Sequence, residues 1–306
     1  MERIPPPEPG IYTGVPFGQY QQWDALNFSS LKWAQCSMEH VKASMEGEFD
    51  SAATPDLEFG RALHCRVLEP DVFKAEYIVS PGCGTILKSG KNAGSKCGKK
   101  ASMETVSNGK RTFYCGTHAP STAEEASGVV SVDDMERIDA INHKIRNHPA
   151  VKLVAQKGGF ETNIIFEWEG VICKARLDKY IHEAEHRNTI LDLKKVQMGR
   201  AGDDKFQYSI RDYLYHMQAA WYCRAAQSMH GEWPHFIWLV VEDKKPHGVN
   251  LIHCDAETMK IGDYLNVNAF EKYRLCVEKN EWPGYAQDLH TGGLPGWDRK
   301  QFEGLI

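Results

Sequence analysis

Three strand-like runs of apolar, β-branched and aromatic residues follow one another in the middle of the chain, and two more lie further on. The runs are Glu161–Trp168, Val171–Tyr180, Thr189–Val196, His235–Glu242 and Val249–Cys254. Glu169-Gly170, between the first two runs, is typical of a hairpin turn. The pattern therefore predicts a group of three strands and a later pair.

Helical patterns surround these strands. The predicted helices are Leu57–Leu68, a helix that begins at Ser131, Ser209–Met229 and Ala256–Glu278. Ser131 and Asp134 have the spacing of a capping box, and Pro70 marks the end of the first helix. Residues 1–25 are predicted to form a loose, proline-rich arm. This order of elements predicts an α/β fold with a central mixed sheet flanked by helices.

The composition of the 306 residues, 42% hydrophobic and 25% charged, is that of an ordinary soluble protein with a substantial core. The length fits one large α/β domain or two small ones. A net charge of -5 gives no overall signature of nucleic-acid binding, although an average can hide a local basic patch. No apolar run is long enough to span a bilayer, and the polar N-terminus is unlike a signal peptide. We therefore expect a cytoplasmic protein without a membrane partner.

Residues 83–118 differ sharply from the rest of the chain, because they are rich in glycine and lysine and poor in large apolar residues. This segment contains Cys83, Cys97, Cys115 and His118. Three thiolates and an imidazole make a closed structural zinc site, and a segment with so few apolar residues could hardly fold without a metal. The sequence predicts a zinc-binding insert between an N-terminal part, residues 1–82, and a core, residues 119–306. The alternative is a flexible loop with incidental cysteines.

The insert is also basic. It contains seven lysines or arginines and one acidic residue, Glu104, which gives about +6 in a chain whose net charge is -5. A basic lobe on an acidic body indicates contact with the phosphate backbone of DNA, and Lys88 and Lys91 are the candidate contact residues. Lysine-rich loops are often only solvated, and that alternative stays open.

The strand around Asp192 breaks the burial pattern of its neighbours. In Thr189-Ile-Leu-Asp-Leu-Lys194, Asp192 and Lys194 project from the same face of an otherwise apolar strand, and Asp178 lies on the strand before it. Mg²⁺ (or Mn²⁺) takes carboxylate ligands, and a lysine can orient the attacking water or offset charge during phosphodiester hydrolysis. The other interpretation is a salt bridge at a sheet edge.

Two further sets of residues fit the same chemistry. His64 lies on the predicted helix ahead of the strands, in Gly60-Arg-Ala-Leu-His64. Gln218 and Tyr222 are four residues apart, which puts them on one helix face. Taken alone, His64 is typical of an ordinary core or surface histidine, and the Gln218/Tyr222 pair is typical of helix packing.

Taken in order, Gly-x-x-x-His, Arg-x-Asp, Asp-x-Lys and Gln-x-x-x-Tyr resemble the PD-(D/E)xK nuclease superfamily, and within it the RecE-type (exonuclease VIII-like) recombination exonucleases. The resemblance covers most of the chain, from Phe28-Ser-Ser-Leu-Lys to Trp282-Pro-Gly-Tyr285. It implies a restriction-endonuclease-like core in which Asp178 and Asp192 bind the metal and Lys194 is catalytic.

The same resemblance implies that His64 lies at or beside the metal site, with Glu161 as a further carboxylate. Gln218 and Tyr222 would bind DNA or brace the site. The implied activity is hydrolysis of one strand of duplex DNA from its 5′ end, which leaves a 3′ overhang for a single-strand annealing protein. Relatives form rings around DNA, so a ring-shaped homo-oligomer is implied as well.

Other functions use the same residues differently. A PD-(D/E)xK endonuclease would act on DNA with another specificity, and an iron–sulfur relative would need clustered late cysteines, whereas Cys223, Cys254 and Cys276 are scattered. A non-catalytic, zinc-bearing recombination scaffold would have a degraded site, whereas every expected site residue is present. The sequence therefore favours a Mg²⁺-dependent exonuclease that acts on the ends of duplex DNA.

Overall fold

The chain folds around a seven-stranded mixed sheet, with two small sheets beside it. The structure, a computed structural model, describes residues 3–49, 54–80, 82–155, 158–183, 186–286, 288–289, 292–293 and 300. The strands are β1 (Gly10–Tyr12), β2 (Leu26–Asn27), β3 (Ile78–Ser80), β4 (Met103–Ser107), β5 (Lys110–Tyr114), β6 (Glu124–Glu125), β7 (Val129–Ser131), β8 (Gly159–Trp168), β9 (Val171–Glu183), β10 (His186–Val196), β11 (His235–Glu242) and β12 (Val249–His253). The helices are α1 (Phe17–Gln22), α2 (Phe28–Leu31), α3 (Met38–Glu46), α4 (Pro55–Leu68), α5 (Pro70–Glu76), α6 (Val132–Asn147), α7 (Pro149–Ala155), α8 (Asp203–Asp212), α9 (Tyr215–His230) and α10 (Ala256–Lys279).

The central sheet has the strand order β1-β8-β9-β10-β11-β12, and β2 pairs with β9 off this path. β8, β9 and β10 are antiparallel, whereas β10 and β11 are parallel and are connected through α8 and α9. Successive residues of a strand point to opposite faces of the sheet. Ile190 and Trp238 accordingly belong to one buried cluster, and Leu191 and Leu239 belong to another.

Helices cover both faces of the sheet. The first cluster contains Phe206 and Phe270, from α8 and α10, and the second contains Leu63 and Ile138, from α4 and α6. The prediction of an α/β fold with a central mixed sheet between helices is thereby confirmed. The five predicted strands correspond to β8 through β12.

The N-terminal segment is not loose, so the prediction of an unattached arm over residues 1–25 is wrong. β1 pairs with β8, and the side chain of Lys174 on β9 is buried beneath α1. Lys174 Nζ donates hydrogen bonds to the carbonyl oxygens of Tyr20, Gln21 and Trp23 at 2.9, 3.3 and 2.6 Å. These carbonyls lie at or near the end of α1, where a helix leaves its carbonyls without partners. A lysine in a distant strand therefore anchors the segment, and the local sequence contains no signal for that contact.

The single predicted helix Ser209–Met229 is also wrong, because two helices occupy this region. α8 ends at Asp212, α9 begins at Tyr215, and Leu214 between them has a left-handed backbone with φ of 57°. Leucine is a strong helix former, and the amphipathic pattern continues through the break. The local sequence therefore does not predict the break at Leu214.

The other predicted helices are confirmed as α4, α6 and α10. Ser131 caps α6, since its Oγ accepts a hydrogen bond from the Asp134 backbone N–H at 3.1 Å. Pro70 follows the end of α4 as predicted, and it also begins α5, because proline fits the first turn of a helix. Among the described residues, no helix combines the length and apolar character needed to cross a membrane.

Residues 83–126 form a lobe of their own. β4, β5 and β6 make a small antiparallel sheet, and β6 lies beyond residue 118, the predicted end of the insert. Asn108 and Gly109 form the tight turn between β4 and β5, with φ of 49° and 73°. The buried residues of the lobe are Cys83, Ala101, Glu104 and Cys115. So small a buried set leaves the lobe almost without an apolar core.

Candidate active site

The hydrogen-bonded ladder of the central sheet is interrupted on both sides of Asp178. β9 and β10 pair as far as Lys179 and Leu191, and the next residues in this register, Asp178 and Asp192, no longer pair. On the other side, the register of β8 and β9 puts Glu161 opposite Asp178, and this position is missing from the ladder. The sheet therefore opens at the positions of Glu161, Asp178 and Asp192 on three neighbouring strands.

His64 of α4 lies over this opening. Its Nε2 is 3.0 Å from Asp178 Oδ2, and its Nδ1 is 3.4 Å from Glu161 Oε1. Asp178 Oδ2 also accepts a hydrogen bond from the Leu193 N–H at 2.7 Å, whereas the buried Glu161 Oε1 has no hydrogen-bond partner. His64, Glu161 and Asp178 each offer one ligand atom, and these atoms lie within 4.8 Å of one another. Because hard cations prefer oxygen ligands, a divalent cation fits this donor set.

Glu161 is held in a strained backbone conformation. Its φ is 47°, in the left-handed region that residues other than glycine rarely adopt within a strand. Arg176 on β9 donates from Nε to Glu161 Oε2, and its Nη1 donates to Asn163 Oδ1 at 3.2 Å and to the Val15 carbonyl oxygen at 2.8 Å. The guanidinium thus fixes one carboxylate oxygen of Glu161 and leaves the other facing His64.

Lys194 begins a chain of polar contacts that leads into α9. Its Nζ lies 2.7 Å from Asp192 Oδ2 and donates a hydrogen bond to Gln218 Oε1 at 2.8 Å. Gln218 Nε2 in turn donates to the Tyr222 hydroxyl at 3.0 Å, and the ring of Tyr215 lies 4.6 Å from Nζ. The structure thus brings together all of the predicted motif residues of the sheet and α9. Gln218 contacts the lysine and Tyr222 contacts Gln218, so the pair braces Lys194, and DNA contact by these two residues stays a prediction.

Burial, together with the charge of Asp178, makes Glu161 and Asp192 reluctant to ionise without a metal. Burial, followed by the charge of Asp178, raises the pKa of Glu161 to about 7. Burial raises the pKa of Asp192 to about 6, against the attraction of Lys194. Burial lowers the pKa of His64, but the neighbouring carboxylates, Asp178 foremost, outweigh it and raise that pKa to about 9. The histidine is therefore an imidazolium at neutral pH when no cation is bound.

For Asp178 and Lys194, neighbouring charges outweigh burial and favour the ionised form. Burial acts to raise the pKa of Asp178, but its contacts with His64 hold that pKa below its usual range. Burial acts to lower the pKa of Lys194, and the Asp192 carboxylate outweighs it, so this pKa is raised. Lys194 is therefore a cation at neutral pH. It can donate hydrogen bonds and offset negative charge rather than accept a proton.

The model of the family described as "PDDEXK-like domain of unknown function (DUF3799)" matches residues 27–291, which include every residue of this cluster. The chain belongs to this family. A crystal structure of a protein from Eubacterium rectale, named "Putative exonuclease", has a similar fold, with a TM-score of 0.57 and 12% sequence identity. The similarity covers 94% of this chain and 98% of that one. No curated protein matches the sequence significantly.

A second cluster of ligand atoms lies in the lobe, outside the PDDEXK-like site. Cys97 Sγ is 4.0 Å from Cys115 Sγ, and His118 Nδ1 lies 3.5 Å from Cys115 Sγ and 3.6 Å from Cys83 Sγ. Sulfur ligands of a tetrahedral zinc ion, with bonds of about 2.3 Å, are separated by about 3.8 Å. Burial acts to raise the pKa of Cys83, but hydrogen bonds, that of Thr85 foremost, lower it to about 6. The four predicted zinc ligands are thus brought to a spacing that fits the metal.

The lobe joins the rest of the protein at α4, the helix that carries His64. Lys100 Nζ lies 3.5 Å from Glu58 Oε2, and Glu58 precedes His64 by less than two helical turns. Lys88 and Lys91 are exposed on the loop between Cys83 and Cys97. The structure alone assigns no role to these two lysines, and their contact with DNA stays a prediction.

The sequence motifs contained two residues whose part in the site was not predicted. Arg176 stands in Arg-x-Asp beside the predicted ligand Asp178, and it fixes Glu161. Lys32 ends Phe28-Ser-Ser-Leu-Lys, and burial, followed by the charge of Lys194, lowers its pKa. Lys32 therefore adds to the positive charge around Lys194 in this PDDEXK-like site.

Proposed function

We propose that this protein is a Mg²⁺-dependent deoxyribonuclease that degrades duplex DNA from its ends in the 5′-to-3′ direction and leaves 3′ single strands for recombination. The observation that carries the proposal is the opening of the central sheet around Asp178. Two carboxylates and a histidine form a possible metal cluster there, and beside it lies a lysine that Asp192 and Gln218 hold in place. A non-catalytic scaffold would have no need of a strained Glu161 and a buried lysine cation.

Asp178, Glu161, Asp192 and His64 would hold the metal, and the ligand atoms of His64, Glu161 and Asp178, which lie within 4.8 Å of one another, support its presence. Bound Mg²⁺ would polarise the scissile phosphate and lower the pKa of a coordinated water. Lys194 is held by Asp192 and Gln218, so its N–H groups can meet the charge that develops on the phosphate oxygens. Little rearrangement of the lysine side chain is needed as this charge develops, because its position is already fixed.

The preference for DNA ends rests on the resemblance to RecE-type exonucleases and on the name of the similar Eubacterium rectale protein. The lobe supports a duplex substrate, since Lys88 and Lys91 lie exposed on a lobe that joins α4 near His64. We further propose that the four lobe ligands hold a structural zinc ion, which replaces the missing apolar core.

The test is digestion of end-labelled linear duplexes and of a covalently closed circle with Mg²⁺. We expect release of the 5′ label, accumulation of single strands with intact 3′ ends, and no cleavage of the circle. Cleavage of the circle would make the protein an endonuclease. Release from the 3′ ends alone would reverse the polarity.

A further inference from the structure

Three aromatic rings are stacked in a row from the core to the surface beside Lys194. Phe206 is fully buried, and its ring centroid lies 6.0 Å from that of Tyr215. Tyr215 stacks in turn on Tyr213, with centroids 5.5 Å apart and ring planes at 27°. Tyr213 is the outermost ring and is 64% exposed. The row therefore ends in a rigid aromatic face that is open to solvent.

The backbone creates this stack at a cost. In a continuous helix, residues two positions apart do not share a face, so Tyr213 and Tyr215 would point in different directions. Leu214 adopts φ of 57°, and this break between α8 and α9 lets the two rings meet. Leucine rarely adopts this left-handed conformation, and strain of this kind is concentrated at functional sites.

The stack lies at the proposed site of chemistry. The Tyr215 ring centroid is 4.6 Å from Lys194 Nζ, which puts the Tyr213 ring within about 10 Å of that nitrogen. A nucleotide whose phosphate contacts Lys194 would bring its base, or the adjacent one, to the exposed face of Tyr213. Aromatic side chains bind nucleic-acid bases by stacking, without regard to sequence.

We propose that Tyr213 is a substrate-positioning residue that stacks on an unpaired base next to the scissile phosphate. Inside a duplex both faces of a base are covered by its neighbours, so only a terminal, frayed or single-stranded base offers a free face. The inference rests on the proposed function and deepens it, because it names the feature of the substrate that the site selects. The selected feature is a nucleotide that has left the base stack.

Kinetics on a linear duplex provide the first part of the test. Tyr213→Ala should raise KM roughly 5- to 150-fold, the range expected for loss of one stacked base, and change kcat little. Tyr213→Phe should restore the wild-type KM, because stacking needs the ring and not the hydroxyl. Tyr208→Ala is the matched control, since Tyr208 is an exposed tyrosine of α8 that contacts Arg211 rather than the stack. Its KM should equal that of the wild type.

Binding of a fluorescent single-stranded oligonucleotide to the Asp192→Asn protein, measured by anisotropy, provides the second part. Adding Tyr213→Ala should weaken this binding by a similar factor, and adding Tyr213→Phe should not. An unchanged thermal melting curve shows that the added substitution leaves the protein folded. Equal binding by the Asp192→Asn protein and the Asp192→Asn/Tyr213→Ala protein would overturn the stacking proposal while the nuclease proposal stands. Weakened binding combined with a wild-type protein that degrades no DNA would instead overturn the nuclease proposal alone.

Discussion

At the residue scale, the contact with Arg176 holds Glu161 in a backbone conformation that is rare in strands. A strand residue with φ of 47° persists only where its surroundings fix it, and here Arg176 holds one oxygen of the Glu161 carboxylate. The guanidinium also reaches Asn163 and the Val15 carbonyl, so it is itself held in place. The pattern of apolar and polar residues could predict the strand but not this conformation, because φ depends on contacts with distant residues.

Substitution of Arg176 tests this arrangement. Arg176→Lys keeps the positive charge but loses the guanidinium whose Nε binds Glu161 while its Nη1 is held by Asn163 and Val15, so we expect Mg²⁺ affinity to fall about 10- to 100-fold, as for other residues that orient metal ligands. Titration calorimetry with Mg²⁺ measures the affinity directly. Arg274→Lys is the matched control, because Arg274 pairs with Glu169 on the surface. Equal Mg²⁺ affinity of the Arg176→Lys and Arg274→Lys proteins would contradict the assignment.

The pKa values of the site predict that metal and protons compete. Without a metal, the pKa is about 9 for His64, about 7 for Glu161 and about 6 for Asp192, and each group must lose its proton to bind a cation. Mg²⁺ affinity should therefore rise between pH 6 and pH 9, with protons released on binding. Calorimetry in buffers of different protonation enthalpy counts these protons. An affinity that does not change over this pH range would show that these groups are not ligands.

At the scale of elements, the sequence predicts the pieces that follow local rules. β8 through β12, α4, α6 and α10 have clear patterns and caps, and Asp192, Lys194 and Gln218, which belong to the sequence motifs, are in contact. Three features depend instead on distant contacts. Lys174 anchors the N-terminal segment, Leu214 separates α8 from α9, and β6 extends the lobe.

The proposed zinc ion should matter more to the folding of the lobe than to the folding of the core. Cys115→Ser removes one of the four predicted ligands from a lobe that buries almost no apolar surface, so we expect loss of zinc and of the β4–β5–β6 sheet. Metal analysis and hydrogen exchange of residues 83–126 provide the measurements. Cys276→Ser is the control, since Cys276 belongs to the cluster beneath α10. Unchanged hydrogen exchange of the lobe in a zinc-free Cys115→Ser protein would show that the lobe folds without zinc.

At the scale of the molecule, the net charge of -5 does not attract DNA, so electrostatic attraction must come from a local basic patch. The lobe contacts α4 through Lys100 and Glu58 and carries exposed lysines, and we predict that DNA at the proposed site contacts these lysines. A Lys88→Ala/Lys91→Ala protein should lower the slope of log affinity against log salt concentration by up to about 2, with kcat unchanged. Lys42→Ala/Lys74→Ala is the matched control on other elements. An identical salt slope for both double variants would exclude these two lysines from the DNA interface.

We propose above that the opening around Asp178 is a metal-dependent nuclease site. The most direct test is the rate of digestion of end-labelled linear duplex DNA with Mg²⁺ by the wild type, Asp192→Asn and Lys195→Ala. Lys195 is the neighbour of Lys194 and pairs with Asp56 rather than with the cluster. We predict that Asp192→Asn lowers the rate at least about 100-fold, the scale of losing one group that stabilises the transition state, while Lys195→Ala stays near the wild-type rate. An Asp192→Asn protein that digests DNA at the wild-type rate would contradict the claim.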